Sequence, residues 1–303
     1  MARDDARKPW VCENKSLANS EAGGQNPFRR ILNFIRHRPA PPLDRFVDWF
    51  WYFDSYMPEH RTERVLPEGS FELVINLRDE PHHTFDPISL KPRRDYRNAW
   101  ISGTQSGHLV IDTAPYSSMI GVHFKPGGAA PFLGIPASEL ADQVEELDCI
   151  WGREALSLRE ALLDARDPSL KFRVLADFLG RRLNQASVPN LAVQEALARF
   201  MAEPQMIALE EFIRSLGISH KHFIKLFREE VGLTPKRFCR VRRFQQVLHD
   251  LQSRKEIRWV DVACSGGFYD QAHLIREFEA FCGISPVRYM NERADSLNFV
   301  PME

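Results

Sequence analysis

Eleven basic side chains fall within forty residues of this sequence: Lys221, Lys225, Arg228, Lys236, Arg237, Arg240, Arg242, Arg243, Arg254, Lys255 and Arg258. Between positions 221 and 260 only Glu229, Glu230, Asp250 and Glu256 oppose them, which leaves a local charge of +7. A stripe of that kind can neutralise phosphates and release their counterions, although part of any such stripe is simply a solvated helix face. Other reactive chemistry is sparse. Cys12, Cys149, Cys239, Cys264 and Cys282 are scattered, with no Cys-x-x-Cys pair, so neither a disulfide framework nor a four-cysteine zinc site is expected. The sequence has no Gly-x-Ser-x-Gly, His-Glu-x-x-His or P-loop. No cofactor and no enzymatic activity are therefore expected.

The rest of the composition is that of an ordinary soluble protein. The 303 residues are 44% hydrophobic and 27% charged, and the length suits two domains. The net charge is only −1, so a positive surface has to be local. No stretch approaches the ~18 apolar residues of a membrane helix. The N-terminus lacks the apolar core of a signal peptide, which makes the cytoplasm the expected location. Residues 1–27 are polar and aperiodic and read as a disordered tail.

Proline marks the change between two kinds of chain. Fourteen of the twenty prolines lie at or before Pro136. Within that part, the runs Val47–Phe53, Phe71–Leu77 and Met119–Phe124 are rich in aromatic and β-branched residues and read as strands of a sandwich or barrel. From Pro136 onward the period becomes helical, as at Leu156, Leu158, Leu162 and Leu163, and again at Phe172, Leu175, Phe178 and Leu179. Asn184–Pro189 reads as a linker.

The C-terminal part repeats itself. Gly232-Leu233-Thr234-Pro235-Lys236-Arg237-Phe238 recurs as Gly283-Ile284-Ser285-Pro286-Val287-Arg288-Tyr289, an offset of 51 (283 − 232). The same offset relates Ser219 to Asp270, Phe223 to Leu274 and Phe227 to Phe278. Ser219 and Asp270 suit N-caps; Pro235 and Pro286 suit first helical positions. Each copy predicts a short helix, a glycine-containing turn and a second helix, which is the helix-turn-helix pattern.

Residues 206–290 resemble the DNA-binding domain of AraC/XylS-family transcriptional regulators. The resemblance is carried by Ser215–Gln246 and by Gly266–Met290. It implies seven helices, two helix-turn-helix units joined by a long helix over 235–251, and contact with two successive major grooves of double-stranded DNA. By position, the first reading helix would present His220, Lys221, His222, Ile224 and Lys225, and the second Gln271, Ala272, His273, Ile275 and Arg276. Ser219, Arg237, Arg240, Arg243 and Asp270 would meet phosphates. RNA polymerase is the expected partner of a bacterial regulator of this kind; activator is the working description, with repression left open by the sequence.

The tracts Pro41–Phe53, Val65–Leu77 and Gly121–Leu140 resemble a β-rich domain found in some AraC-like regulators, where better-known relatives carry a cupin-like barrel. That implies a small-molecule effector and a possible homodimer. Trp49, Trp51, Glu68, Trp100 and His123 are the pocket candidates, with Asn76 and Lys125 as further polar groups. His82-His83 and the isolated His123 do not make the cupin metal pattern, so no metal is expected. The expected fold class is α+β, in five segments: the tail 1–27, an effector domain 28–136, a helical linker or dimerisation segment 137–188, the DNA-binding domain 189–292 and a tail 293–303. The alternative is a DNA-damage or modification sensor doing chemistry in its first domain, but a zinc-cysteine module would need clustered cysteines.

Overall fold

The structure is a computed structural model; it describes residues 34–56, 58–183, 189–205, 209–253, 257–293 and 296–302. The N-terminal tail through residue 27, Cys12 and linker positions 184–188 lie outside the described residues.

Two antiparallel sheets form the first part. One is ordered β1 (Ile35–His37), β2 (Val47–Tyr56), β9 (Ser117–Phe124), β4 (Glu72–Asn76), β7 (Ala99–Ser102) and β10 (Val144–Glu146). The three runs most strand-like in sequence are therefore β2, β9 and β4, adjacent at its centre. The second sheet is ordered β11 (Phe299–Met302), β3 (Thr62–Val65), β8 (Leu109–Asp112), β5 (His82–Phe85) and β6 (Pro92–Tyr96). The sheets stay separate rather than closing into a barrel.

Strand alternation gives the first sheet two different faces. Phe50, Leu73, Ile75, Ile101, Ile120 and Val122 point to one side. Helices α1 (Ala130–Leu133), α2 (Asp148–Trp151), α3 (Arg153–Asp164) and α4 (Pro168–Leu183) complete that layer, and Leu158, Leu162, Phe172, Leu175 and Leu179 bury their stripe in it. The opposite face carries Trp49, Trp51, Phe53, Val74, Trp100 and Met119.

The helical part contains α5 (Leu191–Ala202), α6 (Leu209–Ser215), α7 (His220–Val231), α8 (Pro235–Ser253), α9 (Trp259–Ser265), α10 (Gln271–Cys282) and α11 (Pro286–Glu292). These are the seven helices that the resemblance implied. At 1.5 Å per residue, the 19-residue α8 is about 28 Å long.

Two expectations need correcting. Residues after Pro136 are not uniformly helical, because Val144–Glu146 pairs with Trp100–Ser102 as an edge strand. The segment read as a tail after residue 292 carries β11, whose residues Phe299–Met302 pair with Val65–Thr62. Val300 is fully buried there, in a cluster that joins Leu66 of the first part to the helical core. Replacing Val300 with alanine should lower unfolding stability by about 2 kcal/mol through the cavity it leaves. An unshifted midpoint in urea unfolding would show that the strand holds nothing.

Candidate nucleic-acid interface and the N-terminal polar cluster

The offset of 51 is kept by the helices themselves. Adding 51 to the bounds of α7, 220 and 231, gives 271 and 282, the bounds of α10. The caps explain why. Ser219 Oγ accepts the His222 N–H at 3.3 Å, and Asp270 Oδ1 accepts the His273 N–H at 2.6 Å. Thr234 and Ser285 cap α8 and α11 in the same way, each at 3.3 Å. Each cap satisfies an amide that the helix leaves open, so the helix starts are fixed locally.

Both helices bury matching faces, Phe223, Phe227 and Val231 on α7 and Leu274, Phe278 and Cys282 on α10. Their outer faces carry the residues singled out in the sequence. His220, Lys221, His222 and Lys225 are exposed on α7, with Ile224 half-buried. Gln271, Ala272 and Arg276 are exposed on α10, with His273 and Ile275 half-buried. His273 also shapes its own turn: Nδ1 accepts the Tyr269 N–H at 3.3 Å and the ring meets Phe268 edge-on.

The arginines of α8 turn inward instead. Arg240 makes a two-pronged bond to Glu277, at 2.8 and 2.6 Å, which is the strong planar geometry for this pair. Arg237 donates to the Ser106 carbonyl at 2.6 Å. Arg243 reaches the Gly267 carbonyl at 3.4 Å and lies over the Phe268 ring. Arg242 donates to the Glu68 carbonyl at 3.1 Å. A count of basic residues cannot see this, because sequence gives the number of charges and not their direction.

In the first part, Trp49, Trp51, Trp100 and His123 lie on the aromatic face of the first sheet, as the alternation of β2, β7 and β9 requires, and Glu68 approaches from the connection before β4. Trp49 and His123 stack at 4.3 Å with their planes 3° apart. His123 Nδ1 donates to Glu72 Oε2 at 2.6 Å, while Nε2 lies 3.7 Å from Glu68 Oε2. Ser70 Oγ is 3.5 Å from the same Nε2, and Trp51 Nε1 donates to Glu72. Gly121 makes the arrangement possible, since a side chain there would collide with the Trp51 indole.

Burial disfavours charge on His123, but the adjacent Glu72 outweighs it, followed by Glu68, and the pKa is pushed up to about 9. Burial raises the Glu68 carboxyl, against the pull of His123. The sequence reading missed Glu72 and Ser70. The signal for Glu72 was its parity: an acid on the strand face opposite Leu73 and Ile75. Trp100 belongs to the same face but lies by His82 and Tyr96, at 5.7 Å from each ring.

Two further polar groups hold the backbone. Asn76 donates to the Glu80 and Arg97 carbonyls at 2.8 and 2.9 Å, and Lys125 donates to the Asp44 carbonyl at 2.7 Å. His82 and His83 both bond Asp112 through Nδ1, at 3.2 and 2.7 Å. Among the described residues, no three His, Cys, Asp or Glu side chains are placed to hold a metal ion. No described helix is long and apolar enough to cross a membrane.

Two capped units with matched buried faces and outward polar ends make a repeated helix-turn-helix. Residues 213–292 match the family model of a helix-turn-helix domain, and residues 35–146 match that of a domain of unknown function. The C-terminal part is therefore a helix-turn-helix domain. Among solved structures, the chain is similar to ToxT from Vibrio cholerae O395, with a TM-score of 0.43 and 11% identity over 80% of this chain and 97% of that one. ToxT from the same strain bound to (E)-4-(8-methylnaphthalen-1-yl)but-3-enoic acid gives 0.45 and 11%, over 80% and 98%. Unsaturated fatty acid bound ToxT from strain SCE256 gives 0.42 and 9%, over 80% and 94%. No curated protein matches the sequence.

The His123 cluster makes a pH prediction. The imidazole has a pKa of about 9 in the folded protein, against 6.5 for an ordinary histidine. Its stabilisation is therefore complete below pH 6.5 and is lost as pH rises through 9. Melting temperature should fall across that window, and His123→Gln should flatten the slope. An equal slope in the variant would place the titrating group elsewhere.

Proposed function

We propose that the protein is a sequence-specific transcription regulator whose α7 and α10 enter two successive major grooves, under the control of a small molecule bound by the first domain. The observation that carries this reading is the matched exposure of the two N-terminal helix ends, each just past a filled cap. Lys221, Lys225 and Arg276 suit guanine O6 and N7, Gln271 suits adenine N6 and N7, and Ala272 suits a thymine methyl. The capped start at Ser219 suits a phosphate, since a helix N-terminus favours negative charge, whereas at α10 the Asp270 carboxylate already supplies that charge. Lys236 and Arg228, both exposed, supply further backbone charge. Arg237, Arg240 and Arg243 have partners inside the protein, so their part is to hold the readers.

The effector reading rests on the aromatic face of the first sheet, where indole walls surround a charged His–Glu cluster. That cluster is one residue away from the helical domain, through Glu68 and Arg242. Exposed Leu156 and Leu163 on α3 support pairing of two chains through that helix. RNA polymerase is the partner expected of an activator built this way.

Selecting bound duplexes from a random pool, with and without candidate metabolites, tests the reading, and failure to enrich any sequence would overturn it. On the selected duplex, Lys225→Ala and Gln271→Ala should each weaken binding by about 1–3 kcal/mol and relax preference at one position. Wild-type affinity and preference in both variants would refute the assignment. Arg240→Ala should lower the melting temperature while leaving the slope of log affinity against log salt unchanged. A slope smaller by about 1 would return Arg240 to the phosphate contacts.

A further inference from the structure

The loop between β7 and β8, Gly103–His108, reaches the C-terminal ends of both reading helices. Thr104 Oγ1 donates to the Val231 carbonyl at 3.1 Å, and both residues are buried. Val231 is the last residue of α7, where carbonyls lack helical partners. The next residue, Gly232, has φ +90°, and a side chain there would collide with the Thr104 hydroxyl. Four residues along the loop, His108 packs on Gly283, φ +76°, so closely that a side chain would strike the imidazole. Between these two contacts, the Ser106 carbonyl accepts from Arg237 at the start of α8.

The loop is itself rigidly held. The Gly103 N–H donates to the Gln143 carbonyl at 3.0 Å, and the Asp142 N–H donates to the Thr104 carbonyl at 3.1 Å. Ser106 Oγ donates to Asp142 Oδ2 at 2.9 Å. Gln105 Nε2 donates to the Gly103 and Gln143 carbonyls, both at 3.1 Å. Thr104 and His108 can be at most about 14 Å apart along four residues of chain. Two helix ends are thus pinned to one short, braced segment of the other domain, while their opposite, capped ends stay exposed. Helix α8 sets the distance between the units, and Arg240 seats α10 on it through Glu277. The loop adds a second point of attachment, at the C-terminal end of each reading helix.

We propose that the Gly103–His108 loop is the specificity-determining element for half-site spacing: by gripping α7 and α10 together, it fixes the rotational phase at which the two helices meet DNA. The inference rests on the DNA-reading assignment above. Inserting one base pair between half-sites rotates the second by about 34° and moves it by about 3.4 Å. A clamped pair of readers cannot follow such a change, whereas a pivoting pair can.

The test uses the full chain and the selected duplex, with its spacer changed by one or two base pairs in either direction, alongside duplexes carrying a single half-site. Wild-type protein should prefer one spacer by about tenfold or more, since a mis-phased reader loses its base contacts. Thr104→Val removes the hydroxyl at nearly constant volume, and His108→Ala removes the second grip. Each should cut the spacer preference at least threefold and leave single half-site affinity within twofold. Melting curves establish that the variants are folded, and the two substitutions act on opposite ends of the loop, so one reports if the other unfolds. Unchanged spacer preference in folded variants overturns the proposal, as does an equal loss on single half-sites. Wild-type protein that binds no half-site would overturn the DNA-reading assignment instead, and the two failures are thereby distinguishable.

Discussion

Helix α8 has guanidinium groups facing inward on several sides, and each finds an acceptor for at least one N–H, while Nε of Arg237, Arg242 and Arg243 is left without one. A buried guanidinium without a partner costs far more than its pairing returns, so each one dictates what must lie opposite. Arg240 requires Glu277, which seats α10 against the helix. Arg237 requires the Ser106 carbonyl, and Arg242 that of Glu68, which bring two loops of the first domain onto the same helix. Gln245 adds the Pro67 carbonyl and the Asn298 side chain, at 2.8 and 2.9 Å. A helix that in isolation would only join two reading units thereby becomes the axis on which three parts of the chain converge.

This changes the meaning of the basic stripe. Its +7 suggested a surface for phosphates, yet the α8 arginines at 237, 240, 242 and 243 all have partners within the fold. Among the described residues of the stripe, Lys221, Lys225, Arg228, Lys236 and Arg258 are exposed, as is Arg276 on α10. Fewer free cations mean weaker sequence-independent attraction. Discrimination then depends more on base contacts, which suits a chain whose net charge is close to zero.

What could be read from sequence follows from the range of the interactions involved. Caps, helix-ending glycines and N1 prolines act over three or four residues, so the offset of 51 located α7, α8, α10 and α11 almost to the residue. Strands β2, β4 and β9 were legible because a central strand buried on both faces must be apolar over its length; all eight residues of β9 are buried. The short edge strands β10 and β11 carried no such pattern. Val144–Glu146 and Phe299–Met302 become strands only through partners elsewhere in the chain, and β11 pairs with residues more than two hundred positions earlier. Glu72 was hidden for a related reason: as a single acid in an apolar strand it has no meaning until β9 places His123 beside it. The loop 103–108 has no composition that marks it, since its role is defined by the two helix ends it touches.

The same long-range pairings tie the first domain to the readers. Strand β11 is the element after α11 and joins the second sheet beside β3, so the helical part is followed as well as preceded by elements of the first domain. Leu66, at the end of β3, bonds the Asn298 carbonyl through its N–H at 2.8 Å and packs in the helical core. Glu68 lies two residues further on, between His123 on one side and Arg242 on the other. Glu68 thereby lies between the tryptophan-walled cluster and the helix that joins the two helix-turn-helix units. Arg237 and Arg242 of α8 both donate to main-chain carbonyls of the first domain, so α8 cannot shift away from that domain without depriving two guanidinium groups of their acceptors.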